Sequence, residues 1–302
     1  MPLGHLLVIA LVNVIWGTNL VLTKVALLEL PPLTFAALRF ALILAVLAPL
    51  LKPVRGEMGK VMLTGLTMGA LHFTLIYVGL QRAEDIAGIA IATQLYVPFA
   101  TILSILFLGE RIGWRRTLGI SLAFGGVAWM SFDPKVFADL DALVLVSGGA
   151  MMGAAGTIMM KRIRGARVFQ LQAWIAAVSF PLLTIASVVF ETGQREALVA
   201  APIHVYAILV FSALGASLIG HGGMYWLLQR HDVSVISPTT IASTFIGIGL
   251  GVVLLNEVLT LEVVIGGAIS LLGVLIVALR QPRRGPTPPA AMPPILPRRQ
   301  RR

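Results

Sequence analysis

The chain contains no cysteine, and its acidic residues number 13 against 23 Lys and Arg. Without cysteine there is no disulfide framework and no thiolate metal site. Other catalytic signatures are missing too. There is no G-x-x-x-x-G-K-[ST] for a nucleotide, no H-E-x-x-H for zinc, and no Ser or Asp set beside a base as an intramembrane protease needs. No cofactor, no metal and no enzymatic activity are therefore expected. Charged residues make up 12% of the 302, about half the ~25% of an ordinary soluble domain. With 58% hydrophobic residues and a mean hydropathy of +0.93, the natural solvent is lipid. The net charge of +10 then reports membrane orientation rather than a nucleic-acid partner.

What the chain does have is long apolar runs. A hydrocarbon core about 30 Å thick needs roughly 20 helical residues. Ten stretches fit, at 5–28, 33–51, 60–81, 86–108, 114–132, 140–161, 168–190, 202–228, 233–255 and 259–279. The first lacks a basic region before it and a small-residue cleavage site after it, so it reads as a retained helix. With the N-terminus inside, one side collects Lys52, Arg55, Lys60, Arg111, Arg115, Arg116, Lys161, Arg162, Arg164, Arg167, Arg230 and the arginines from Arg280 onward. Only Arg82, Lys135 and Arg195 fall on the other side, so the positive-inside rule places both termini in the cytoplasm. Residues 281–302, rich in Pro and Arg, read as a disordered basic tail attracted to anionic lipid.

Internal similarity divides the rest. At an offset of 148, Tyr77, Leu80, Gln81 and Arg82 fall on Tyr225, Leu228, Gln229 and Arg230; at 147, Leu108, Glu110, Gly119 and Gly126 fall on Leu255, Glu257, Gly266 and Gly273. Residues 1–132 and 133–280 thus read as two five-helix repeats. Five is odd, so the second copy enters the membrane from the opposite side. Inverted halves of this kind suit alternating access in secondary transporters.

Several strings resemble a known family. They are Trp16-Gly17-Thr18-Asn19 with Lys24, Pro31-Pro32 followed by Leu38-Arg39-Phe40, the run 86–112 ending in Leu108-Gly109-Glu110-Arg111, Lys161, and Asn256-Glu257. Together they resemble the drug/metabolite transporter superfamily, specifically its bacterial ten-helix EamA-type exporters, which include exporters of O-acetylserine and cysteine. The resemblance covers about residues 5 to 280. It implies an all-α integral membrane protein of the bacterial inner membrane that exports small metabolites such as amino acids. Two departures stand out: Phe245 where the first repeat has Pro98, and Gly153-Ala154 where the first helix has Trp16-Gly17.

Polar residues inside the runs mark the expected path, since hydrocarbon offers them no partners. Asn13, Trp16, Asn19, Thr23 and Lys24 share one arc of the first helix. Ser217, His221, Tyr225 and Gln229 form a stripe at four-residue intervals, matched by Tyr77 and Gln81, with Gln94 beside Pro98. Arg39 lies about seven residues past the Pro31-Pro32 turn, where a cation costs up to about 2.5–3.5 kcal/mol and needs a partner: Glu29, backbone carbonyls or a substrate carboxylate. Lys24, near the other end of its helix, is expected to snorkel to the outer face. His72 reads as a packing residue, and Glu110 and Glu257 as structural acids at helix ends. For proton coupling the candidates are His72, His221 and Glu29. Glycines at 119, 125–126, 266–267 and 273 permit close helix contact, within the chain or across a homodimer. The expected partners are a small-molecule substrate and membrane lipid. A zwitterion such as an amino acid fits these polar groups; the alternatives are a multidrug or toxin exporter, and a polytopic membrane enzyme or assembly protein without transport.

Overall fold

A computed structural model describes residues 2–109, 112–160, 162–228, 230–231 and 237–279. Glu110, Lys161, Gln229 and the 281–302 tail, all drawn on above, lie outside the described residues, as does the side chain of Tyr225. Among the described residues the regular structure is all helix, with no strand.

We label the main helices α1 (Leu3–Leu27), α2 (Pro32–Leu47), α3 (Met58–Arg82), α4 (Ile86–Thr93 followed by Tyr96–Leu108), α5 (Trp114–Met130), α6 (Leu140–Met160), α7 (Val168–Phe190), α8 (Ile203–Val210, Phe211–Gly220 and His221–Leu228), α9 (Ile241–Leu255) and α10 (Leu261–Leu279). By length and composition eight of these are apolar enough to cross a membrane, namely all but α5 and α9. Those two have 17 and 15 residues. Side chains on the outside are apolar as well, including Leu7, Leu106, Val188, Phe190 and Val253. Water would not tolerate such a surface; lipid does.

Backbone irregularities recur at the repeat offset. The middle of α3 is π-helical over Gly65–Leu71, and the middle of α8 over Phe211–Gly220. Helix α4 breaks at Gln94-Leu95, where the sequence predicts an unbroken span, because Pro98 has no N–H for the Gln94 carbonyl. Val97 N–H takes that carbonyl instead, at 3.0 Å in a tighter turn. Helix α9 is likewise preceded by the tight turn Ser237–Thr240, shortening the predicted span 233–255. Gly109 and Asn256, 147 residues apart, end α4 and α9 with φ of +66° and +56°. Such left-handed residues let the closing N–H reach back to the last turn, here to Ser104 O and Gly251 O.

Helix neighbours are matched in the same way. Helix α2 packs on α7 and α5 on α10, while α3 on α6 mirrors α8 on α1, and α1 on α9 mirrors α6 on α4. The glycine faces of α5 and α10 are used within the chain. A Cβ at Gly126 would lie 2.4 Å from the Gly266 carbonyl oxygen, and one at Gly119 would lie 2.9 Å from that of Gly273. Ser270 Oγ adds a hydrogen bond to Ala123 O at 3.0 Å.

Gly126→Val should therefore force the α5–α10 seam apart, at about 1–3 kcal/mol for overpacking. Its neighbour Gly125 faces open space, so Gly125→Ala is the control. Thermal unfolding in detergent should show a lower midpoint for the first and no loss for the second.

Candidate functional site

Arg39 is the centre of the polar interior. Helix α2 starts at Pro32, whose missing N–H is harmless in a first turn. The next amides, Leu33 N and Thr34 N, donate to the Glu191 carboxylate at 2.6 and 2.9 Å. That anion on a helix N-terminus is further held by Thr34 Oγ1 and Ser187 Oγ, at 2.9 and 2.8 Å. Arg39 follows two turns later and is 2% exposed. Its guanidinium lies 4.5 Å from the Phe73 ring centre. One terminal nitrogen donates to the Tyr77 hydroxyl and the other to Ser217 Oγ at 2.9 Å. Its Nε is buried without a hydrogen-bond partner. Among the described residues the ion pairs are Lys60–Glu57 and Arg82–Asp141, so no carboxylate pairs with Arg39. Glu29, the first partner expected from sequence, is exposed.

Around this cation the wide turns of α8 free backbone carbonyls. The Ala216 carbonyl accepts from Trp16 Nε1 at 3.2 Å and from His221 Nδ1 at 3.0 Å, and the two rings sit 5.2 Å apart. Ser217 Oγ reaches the Ser212 carbonyl at 3.3 Å. From α7, Gln172 Nε2 donates to the Ser217 carbonyl at 3.4 Å, leaving its Oε1 buried and unpartnered. On α1, Asn19 Oδ1 and Thr23 Oγ1 are also buried without partners. Buried polar atoms without partners are rare in a finished core and mark places where a ligand can bond.

The other residues singled out from sequence tie helices together. Asn13 Oδ1 accepts from Ser243 N at 2.9 Å, occupying an amide in the first turn of α9, while Asn13 Nδ2 bonds Ile9 O. Gln94 Nε2 reaches Thr244 Oγ1 at 2.6 Å across the break in α4. Lys24 does not snorkel outward. It is buried, donating to the carbonyls of Leu80 at 2.9 Å, Gln81 at 3.3 Å and Ala83, which are the unbonded oxygens at the end of α3. Gln81 Nε2 returns the contact to Leu27 O at 3.0 Å. His72 packs on α6, with Nδ1 on Gly149 O at 2.7 Å. Glu257 accepts from the Ile86 amide at the start of α4; burial pushes its carboxyl above the usual range, against the pull of that amide. Among the described residues no cluster of three His, Asp or Glu could hold a metal ion.

The model of the EamA-like transporter family matches the chain twice, over residues 3–132 and 141–279. The chain belongs to the EamA-like transporter family. Among similar members, a probable amino-acid metabolite efflux pump of Escherichia coli K12 is 25% identical, the match covering 88% of this chain and 92% of that one. The transporter YvbV of Bacillus subtilis is 28% identical over 86% and 87%, and an Archaeoglobus fulgidus transporter 26% over 91% and 99%. One solved crystal structure superposes with a TM-score of 0.61 at 17% identity, over 92% of this chain and 98% of that one, which speaks for the fold alone.

For this EamA member, sequence reasoning missed Gln172, Phe73 and Glu191. Gln172 carried a signal, an amide one turn into the apolar run of α7 and two residues past Gln170. Phe73 carried none, since an aromatic among apolar neighbours looks like core. Glu191 sits at the end of its run, where an acid reads as a solvated loop residue.

Replacing Lys24 by Met should leave the α3 carbonyls without their donor. Each unsatisfied group costs about 1–3 kcal/mol. Lys24→Met is therefore expected to unfold at markedly lower temperature in detergent, while binding of transported substrate to the protein that remains folded is unchanged.

Proposed function

We propose that the protein exports small metabolites across the bacterial inner membrane by alternating access of two inverted five-helix repeats, residues 1–132 and 133–280. All of α1 to α10 then cross the bilayer, and both termini lie in the cytoplasm. The matched neighbours and the paired π stretches, breaks and left-handed caps support the repeat. Exchanging the conformations of two such halves turns an inward opening into an outward one. An E. coli relative carries the name amino-acid metabolite efflux pump, which favours metabolites over bulk drugs as cargo.

The observation that carries the reading is Arg39, a buried cation with neutral partners and one unused donor. A structural guanidinium in hydrocarbon would be expected to take a carboxylate from the protein, because unpaired burial costs several kcal/mol. Here the anion comes from the cargo. Trp16, Tyr77, Ser217 and His221 line the same centre, with Asn19 and Thr23 along the path on α1. Asn13, Lys24, Gln81 and Gln94 hold the helices whose relative movement opens it.

In proteoliposomes, the protein should exchange labelled carboxylate metabolites, and Arg39→Gln should reduce exchange. Loss of a charge-assisted hydrogen bond of ~1.5–3 kcal/mol corresponds to about 10–100-fold. Elution from size-exclusion chromatography should stay that of the parent. Undiminished exchange by folded Arg39→Gln protein would remove Arg39 from the substrate site.

A further inference from the structure

The free hydrogen-bonding groups at the centre describe the cargo's charge. Arg39 and Gln172 both rest on Ser217, the first through Oγ at 2.9 Å and the second through the carbonyl at 3.4 Å. Each keeps one buried atom unpaired on that shared partner: a cationic donor, Arg39 Nε, and a neutral acceptor, Gln172 Oε1. Among the described residues no acid pairs with Arg39. The imidazoles of His72 and His221 bring no negative charge in either protonation state.

Building on the carrier reading above, we infer that the cargo is a monoanionic carboxylate with an uncharged N–H or O–H beside it, exported as the anion by the inside-negative membrane potential. Its carboxylate takes Arg39 Nε and its neutral donor takes Gln172 Oε1. The empty site holds one positive charge, and a monoanion neutralises it. A zwitterion would leave that charge in place and set its ammonium near the guanidinium with only an amide oxygen to face, which low dielectric makes unfavourable. An N-acylated amino acid or a 2-hydroxy acid meets both groups; the free amino acid expected from sequence does not. Phe73 under the guanidinium and Trp16 beside His221 favour an apolar or aromatic body. Export of one negative charge needs no proton relay. The potential alone supports a gradient of roughly 50-fold per 100 mV.

The test uses the full chain in proteoliposomes under a potassium diffusion potential, with three probes: N-acetylphenylalanine, phenylalanine and phenylalanine amide. N-Acetylphenylalanine should accumulate on the positive side, stop when the potential is collapsed, and continue when only a pH gradient is collapsed. Phenylalanine should move at least tenfold more slowly and the amide not at all. Gln172→Glu, which places an anion across Ser217 from Arg39, should reverse the preference toward phenylalanine. A wild-type preference for phenylalanine, or accumulation of the N-acetyl compound that follows the pH gradient and ignores the potential, would overturn this inference alone. An unaltered preference in folded Gln172→Glu protein would do the same. No flux of any probe would overturn the carrier reading and this inference with it.

Discussion

The structure depends on holding the Arg39 guanidinium buried where, among the described residues, no carboxylate pairs with it. Arg39 achieves this by delocalising its charge over a planar group, lying on an aromatic face and spending its terminal donors on two hydroxyls. Those partners come from α3 and α8, so the cation joins the N-terminal and C-terminal parts of the bundle. Phe73 and Tyr77 are in turn fixed by edge contacts with Phe40, Phe35 and His72, whose ring is pinned to the Gly149 carbonyl. The aromatic wall thus backs the cation on one face, while its Nε stays buried without a hydrogen-bond partner.

Weak helix segments surround that point. The π stretches of α3 and α8 and the break in α4 are irregular segments in otherwise continuous helices, and in α8 the His221 ring takes the Ala216 carbonyl. The firm contacts lie elsewhere: glycine-backed packing of α5 on α10, Lys24 and Gln81 tying the ends of α1 and α3, Glu191 clamping α2 to α7. Rigid pairs joined through irregular middles suit bodies that rock, since tight backbone contact holds each pair while the wide turns absorb the change in angle.

The membrane setting, the all-helical class and eight of the ten spans were legible because lipid imposes simple demands on a sequence: long apolar runs, and polar residues where partners exist. Arg39 stood out for the same reason. Partner identity was less legible, because it depends on how distant helices meet. Lys24 looked like a snorkelling residue from its depth along α1, yet the unbonded carbonyls of α3 lie within its reach, and three carbonyls hold an ammonium better than a lipid interface does. Asn13 and Gln94, read from sequence as path residues, also bond α9, a contact that a helical wheel does not carry. Gln172 became visible only once α7 and α8 were placed side by side.

A carrier differs from a receptor in having to let go, which bears on why, among the described residues, no acid pairs with Arg39. A buried Arg–carboxylate pair inside the protein would cost less than a lone buried cation but would compete with every anionic cargo, and breaking it on each cycle would leave two stranded charges. Hydroxyl partners stabilise the guanidinium enough to keep the empty bundle folded and leave most of its electrostatic demand unmet. A cargo carboxylate then gains from burial beside it, and loses that gain as soon as the opening of either end admits water. Under the proposed carrier cycle, binding in a closed bundle and release from an open one would both follow from this arrangement, as entering water raises the dielectric around Arg39.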